Sequence, residues 1–231
     1  MDFLSKKIHN IIMLATSSQT AKLVELFKAH GIRQVFAKNE YIIHPGEMPP
    51  GVFYIEEGLV KAFDITKYQE ENLLVIRKEH EIFPLIWALT GIEKSFIYQA
   101  LAPTTTWLIS RKALTEAIEK DADLLAPLLD MSLKMYRLHS ERIFNLEYRT
   151  VRERLVSFLI TTAENFSSNQ TKDGIKIEIP LKHQDIASSI NSSRETASRE
   201  LAALERKGLI SSNQSMITIT NFEGLNKIIG Q

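Results

Sequence analysis

Cysteine is absent from this 231-residue chain, which excludes disulfides, thiol chemistry and any cysteine-ligated metal cluster. The nine glycines are scattered, so no phosphate-binding loop, dinucleotide-binding turn or nucleophile elbow can be built from them. Apolar runs are short, and none approaches the roughly eighteen residues that a membrane-spanning helix needs. The segment from Met1 to Thr20 carries Ile8, Ile11, Ile12 and Leu14, but Lys6, Lys7, His9 and Asn10 interrupt them, too often for the apolar stretch of a signal peptide. These features suit a cytoplasmic protein with no membrane partner. An excess of charge is missing as well, because 28 Lys and Arg balance 28 Asp and Glu. From Arg149 onward there are eleven basic and nine acidic residues, a net of +2 that leaves the first 148 residues at −2. A chain this near neutrality does not bind polyanions in bulk, so any affinity for nucleic acid must come from local arrangement.

Histidine pairs are the last absence. Metal-dependent barrel enzymes need two or three His and a carboxylate converging on one ion. The six histidines, His9, His30, His44, His80, His139 and His183, never stand two or four residues apart. A catalytic role, a resident metal and a cofactor are therefore not expected. A metal-dependent barrel enzyme is the most distant reading of the chain.

What is present changes period along the chain. At this length one large or two modest domains are expected, and 44% hydrophobic content can build two cores. Leu23, Leu26 and Phe27 predict a short helix over Ala21 to His30, stopped by Gly31. From Val35 to about Ile109, short segments rich in Val, Ile, Phe, Tyr and Thr are punctuated at Pro45-Gly46, Pro49-Pro50-Gly51, Gly58, Gly91 and Pro103. This pattern predicts a β-barrel or jelly roll. Helix follows for about forty residues, where Leu124, Leu128, Met131, Met135 and Leu138 recur at coiled-coil spacing and Arg142 and Asn145 continue the seam. Pro127 places the start of the continuous helix near Ala126-Pro127. Such a seam packs either on a partner helix or on the chain's own strands. A further helix should carry Val151, Leu155, Phe158 and Leu159, and the polar run Asn165 to Gly174 reads as a surface loop.

The most informative segment runs from Lys182 to Ile210. Ile186, Ala187 and Ile190 give one short helix an apolar face, and Ala197, Leu201 and Leu204 give a second helix another. Between them Asn191 suits a left-handed turn residue, and Ser192 or Ser193 suits a cap. The pattern is a helix-turn-helix, with Arg194, Glu195 and Arg199 in the first two turns of the second helix, on the face away from Leu201 and Leu204. Arg forks onto guanine and Glu accepts from cytosine, so this placement suits base reading. The plainer alternative is an amphipathic hairpin with a solvated face. Beyond it, Ile217, Ile219 and Leu209 alternate with polar residues as in a half-buried hairpin.

At Ser193-Arg194-Glu195-Thr196, with Arg199 beyond, the chain resembles the Crp/Fnr family of bacterial transcription regulators. The resemblance extends upstream to Tyr41-Ile42-Ile43-His44-Pro45-Gly46-Glu47 and to Val52-Phe53-Tyr54-Ile55-Glu56-Glu57-Gly58, which are similar to the early strands of the family's N-terminal β-roll. It implies an α+β architecture in three parts: a β-roll sensory domain with flanking helices over 1–120, a central dimerisation helix over 121–148 and a winged helix-turn-helix over 149–231. It also implies a homodimer on double-stranded DNA, joined along Leu128, Met131, Met135, Leu138, Arg142 and Asn145, with RNA polymerase as a partner. Arg194, Glu195 and Arg199 would read bases in a palindrome with TGTGA-like half-sites, while Lys182, His183, Ser193 and Thr196 would hold the phosphate backbone. The cysteine-held iron–sulfur cluster of the oxygen-sensing branch is excluded.

At the sensory site the chain departs from the family. Cyclic-nucleotide-binding members carry a Gly-Glu pair for the ribose, which aligns here with Pro84-Leu85, and an Arg-Ser or Arg-Thr pair for the phosphate, which aligns with Lys94-Ser95. Lysine supplies charge but not the rigid fork of arginine. Phe83, Leu85, Trp87, Phe96 and Tyr98, with Lys94 and Ser95, are the candidates for an effector pocket, although the aromatic residues equally suit a filled core. The effector is unnamed and cAMP does not fit. A rival from another class is a β-roll binding protein whose helix-turn-helix has lost DNA function.

Overall fold

The computed structural model describes residues 14–67, 69–92, 96–167, 170–171, 174–213 and 215–230. Two compact units part between Leu138 and His139.

In the first unit, helix α1 (Ser17–His30) begins earlier than its apolar face suggests, because Thr16 and Gln19 form a reciprocal capping box. It ends where Gly31 donates to the Phe27 carbonyl. Eight strands follow: β1 (Ile32–Phe36), β2 (Tyr41–Ile43), β3 (Val52–Glu57), β4 (Val60–Ile65), β5 (Glu71–Arg77), β6 (Ile82–Phe83), β7 (Ile97–Ala100) and β8 (Thr104–Ile109). They form two antiparallel sheets, ordered β1-β8-β3-β6 and β2-β7-β4-β5. The run Val52-Phe53-Tyr54-Ile55 is continuously apolar because both faces of β3 are buried. Phe53 and Ile55 join Ile43, Val60, Phe83 and Tyr98 in the core between the sheets. Val52 and Tyr54 face the other way, toward Leu23, Phe27, Leu114 and Leu128 of the flanking helices.

The apolar run after β6 is a helix, α2 (Leu85–Thr90), and not a strand. Pro84, which lacks an N–H, precedes its first turn, and left-handed Gly91 closes it. Arg111 donates from Nε to the Trp87 and Ala88 carbonyls at 3.1 Å each. Helix α3 (Arg111–Lys120) then leads through a short 3-10 turn into α4 (Leu125–Tyr148). Pro127 sits in the first turn of α4, where its missing donor costs nothing.

The expected dimer seam divides along its length. Leu128 is 1% exposed, inside the helix-side core, with Met131 packed against it. Farther along α4, Arg142 donates to the Ser188 carbonyl and Asn145 donates to Ser157 Oγ. Between these ends Met135 and Leu138 remain partly exposed. A second apolar row stands in the open one position further round, a turn of about 100°: Leu129 at 48% exposure, Tyr136 at 73% and Ile143 at 56%, flanked by Leu125 and Leu133, with Phe144, Leu146 and Tyr148 also exposed toward the end of the helix.

In the second unit, Thr150 and Glu153 form the capping box that opens α5 (Val151–Phe166). The expected loop before Gly174 carries a short strand, β9 (Gln170–Thr171), paired with β10 (Gly174–Lys176). Helices α6 (His183–Ser189) and α7 (Arg194–Arg206) come next, then β11 (Ile210–Asn213), β12 (Met216–Ile219) and α8 (Phe222–Ile228). The sheet order is β11-β12-β10-β9.

Candidate nucleic-acid interface

Helix α6 buries Ile186 and Ala187, and α7 buries Ala197, Leu201 and Leu204. Asp185 opens α6 by accepting from the Lys182 backbone N–H at 3.3 Å. The turn then reverses through Asn191 at φ 49°, a left-handed conformation that Asn tolerates and β-branched residues resist. Ser193 caps α7 by accepting from the Thr196 N–H at 3.2 Å. The far end of α7 closes in a Schellman arrangement, in which Gly208 at φ 65° donates to the Glu205 carbonyl and Leu209 donates to the Leu204 carbonyl. Both ends of α7 are therefore satisfied by local sequence.

Three functional candidates stand free on that helix. Arg194, Glu195 and Arg199 are exposed, and none engages a partner among the described residues. Their placement differs in one respect from the expectation. At about 100° per residue, Glu195 and Arg199 lie opposite Leu201 and Leu204, whereas Arg194 lies within about 20° of Leu201. Arg194 is exposed because it is the first residue of α7, ahead of the packed stretch. Lys182 is exposed just before α6, and His183 Nδ1 lies 2.7 Å from Ser198 Oγ. Ser193 Oγ donates to Thr196 Oγ1 at 3.1 Å. All seven candidates cluster about the turn and the start of α7.

Four interactions that the sequence did not reveal organise this corner. Arg154 on α5 reaches the turn carbonyls of Ile190 and Asn191. Arg142 reaches Ser188, and burial holds its guanidinium below the usual arginine range. Arg152 Nε donates to Glu200 at 2.7 Å, and that carboxylate raises the arginine further. Glu205 accepts from both the N–H and the hydroxyl of Ser212, tying the end of α7 to β11. In the sequence these are simply charged residues on polar faces, and nothing in their spacing names their partners.

The described effector candidates divide between two cores. Phe83 stacks on Phe53 and on Tyr98, each at 4.9 Å between centroids, and Phe96 packs beside them between the sheets. Leu85 and Trp87 belong to α2 and face the helix-side core. Lys94 and Ser95 lie outside the described residues. Among the described residues no three His, Asp or Glu side chains converge as a metal site requires, and no helix is long and apolar enough to cross a membrane.

A helix-turn-helix followed by a two-stranded antiparallel wing, with free Arg and Glu side chains at the head of its second helix, defines a DNA-binding regulator. The comparisons agree. Residues 153–228 match the Crp-like helix-turn-helix domain, and residues 33–121 match the cyclic nucleotide-binding domain. The chain is 32% identical over 193 residues to the global nitrogen regulator of Nostoc sp. (strain PCC 7120 / SAG 25.82 / UTEX 2576), covering 80% of this chain and 84% of that protein. It is 26% identical over 208 residues to the cAMP-activated global transcriptional regulator CRP of Salmonella typhimurium, covering 90% and 98%. The fold is similar to that of a CooA variant from Carboxydothermus hydrogenoformans, with a TM-score of 0.74 at 19% identity over 94% of this chain and 98% of that one. The chain belongs to the Crp/Fnr family of transcription regulators.

The geometry of the turn makes a direct prediction. Asn191→Gly should leave stability nearly unchanged, while Asn191→Val should cost about 1–2 kcal/mol, the penalty of a left-handed backbone with a branched Cβ. Urea denaturation of both variants checks this. Equal midpoints for Val and Gly would show that the turn relaxes to another conformation.

Proposed function

We propose that this regulator acts as a cytoplasmic homodimer on a two-fold palindrome with TGTGA-like half-sites, and that it works with RNA polymerase and without catalysis. The observation that carries the reading is the free, exposed set Arg194, Glu195 and Arg199 at the head of α7. Arginine supplies bidentate donors to guanine O6 and N7, and glutamate accepts from cytosine N4. Lys182, His183, Ser193 and Thr196 surround that set and suit phosphate oxygens, which set register without reading sequence.

Dimerisation is assigned to the open stripe of α4. Leu129, Tyr136 and Ile143 recur every seventh residue, as in the core of a two-stranded coiled coil. Isolated exposed apolar residues need no explanation, but a heptad row on one long helix does. Two copies paired along it would present two recognition helices to one face of a duplex. Ile143→Glu should yield folded monomers with weakened operator binding, because like charges then meet across the axis and the gain from two linked half-sites is lost. Leu128→Glu should instead disrupt the first unit. Sedimentation showing a wild-type monomer at micromolar concentration would sink the assignment.

The roll does not use cAMP. The position where the family holds the ribose is Leu85, buried in the helix-side core, and an apolar side chain there leaves the ribose hydroxyls unpaired at about 1–3 kcal/mol each. Calorimetric titration should detect no cAMP or cGMP binding below high micromolar concentrations. Low-micromolar binding abolished by Lys94→Ala would overturn this.

Selection from random duplexes tests the operator. Half-site centres should fall about 10–10.5 base pairs apart or at a simple multiple. Glu195→Ala should relax one base pair by about 1–3 kcal/mol, whereas Lys182→Ala should weaken all sequences alike and flatten the salt dependence. A non-palindromic motif recovered by folded dimer would reject the specificity, and a binding curve indifferent to salt would favour the rival, DNA-inactive reading.

A further inference from the structure

Arg154 lies in the first turn of α5, and its guanidinium is committed to three backbone carbonyls. Nε donates to Ile190 O at 2.8 Å, Nη2 to Asn191 O at 3.3 Å and Nη1 to Arg149 O at 3.0 Å. The first two oxygens belong to the turn between α6 and α7, and the third belongs to the break between α4 and α5. The last carbonyls of a helix have no donors of their own and carry the negative end of its dipole. Arg142 serves the same corner from α4, donating from Nη2 to Ser188 O at 3.2 Å. Everything that aims the head of α7 follows within three residues of Asn191: the left-handed turn, the Ser193 cap and Arg194 itself.

We propose that Arg154, assisted by Arg142, is a positioning residue for base recognition, holding the turn that aims Arg194 and Glu195 and tying that aim to the junction of α4 and α5. This rests on the assignment of α7 as the base-reading helix. Arginine is required because only its planar fork presents several donors in fixed directions to three acceptors at once, while lysine offers a single point charge.

The test uses the full chain, the duplex it selects from a random pool, and a shuffled duplex of equal length. Arg154→Lys should weaken binding to the selected duplex about tenfold, the scale of lost charge-assisted hydrogen bonds. Affinity for the shuffled duplex and the slope of log K against log salt should stay at wild-type values, since no phosphate contact is removed. In the DNA-free protein, amides of Ser192 to Ala197 should exchange faster, with Leu155 to Ala163 unchanged. Arg142→Met, which removes the bond to Ser188 O, should shift both readouts less and in the same direction.

Three outcomes overturn the proposal. Wild-type discrimination and exchange in Arg154→Lys would show that charge alone suffices. Equal loss on both duplexes with a shallower salt slope would make Arg154 a phosphate contact. Equal loss with faster exchange throughout α5 would leave only a structural role. Failure of the wild-type chain to select any motif would reject the base-reading assignment instead, and exchange at the turn would then decide the clamp by itself.

Discussion

The double duty of α4 is the constraint on which the architecture turns. Its apolar residues occupy two stripes one position apart, so the helix is greasy over much more than the arc that one neighbour can cover. The stripe through Leu128 and Met131 closes the first unit against α1, β3 and β6. The stripe through Leu129, Tyr136 and Ile143 is left in solvent. Burying an aliphatic side chain is worth about 1.5–3 kcal/mol, so the inner stripe cannot be released to form a dimer without dismantling the core. The compact units part at Leu138 and His139, within the span of α4.

A second economy operates at the recognition corner. The chain carries no net charge, so bulk attraction cannot bring it to DNA. Its arginines divide the work. Arg142, Arg152 and Arg154 are spent on carbonyls and on Glu200, leaving Arg194 and Arg199 free to donate outward. Arginine held against backbone oxygens fixes geometry, and arginine left unpaired at a helix head keeps its donors for solvent or a ligand. Affinity that depends on a few placed donors is more specific than affinity from a charged surface, because wrong partners leave those donors unpaired.

Legibility in the sequence followed the range of the interactions. The helix-turn-helix could be read because all its signals are local: apolar spacing in Ile186, Ala187 and Ile190, a turn residue at Asn191, a cap at Ser193. The alternation of strands and turns from Val35 to about Ile109 was legible for the same reason. Helix α2 was not, since Leu85 to Thr90 is a short apolar run whose period cannot separate a buried strand from a buried helix. Helix α8 escaped notice because seven residues are too few for periodicity. The burial of Leu128 was beyond reach, as both apolar rows of α4 satisfy the same spacing and only tertiary packing distinguishes them. The clamp by Arg154 joins residues 36 and 37 positions apart, and no pattern along the chain encodes it.

The interior of the roll follows from the same physics. Phe53, Phe83 and Tyr98 stack in series between the sheets, and such aromatic pairs contribute about 0.5–1.5 kcal/mol each beyond the area they bury. Their position turns the sensory question into one of displacement. Any group entering between the sheets has to replace that stack with contacts of equal worth, and burial there pushes the Tyr98 phenol above its ordinary range. At the edge of this core Arg77, only 6% exposed, donates to Glu81 at 3.4 Å. The other oxygen of Glu81 accepts from Lys134 of α4 at 2.8 Å. One carboxylate thus joins the end of β5 to the central helix. With two cations on Glu81, removing either leaves the carboxylate paired, whereas removing Glu81 strands a buried guanidinium, the costlier loss. The polar link between roll and helix therefore depends on its acidic member, and the apolar stack beside it is what any incoming ligand has to disturb first.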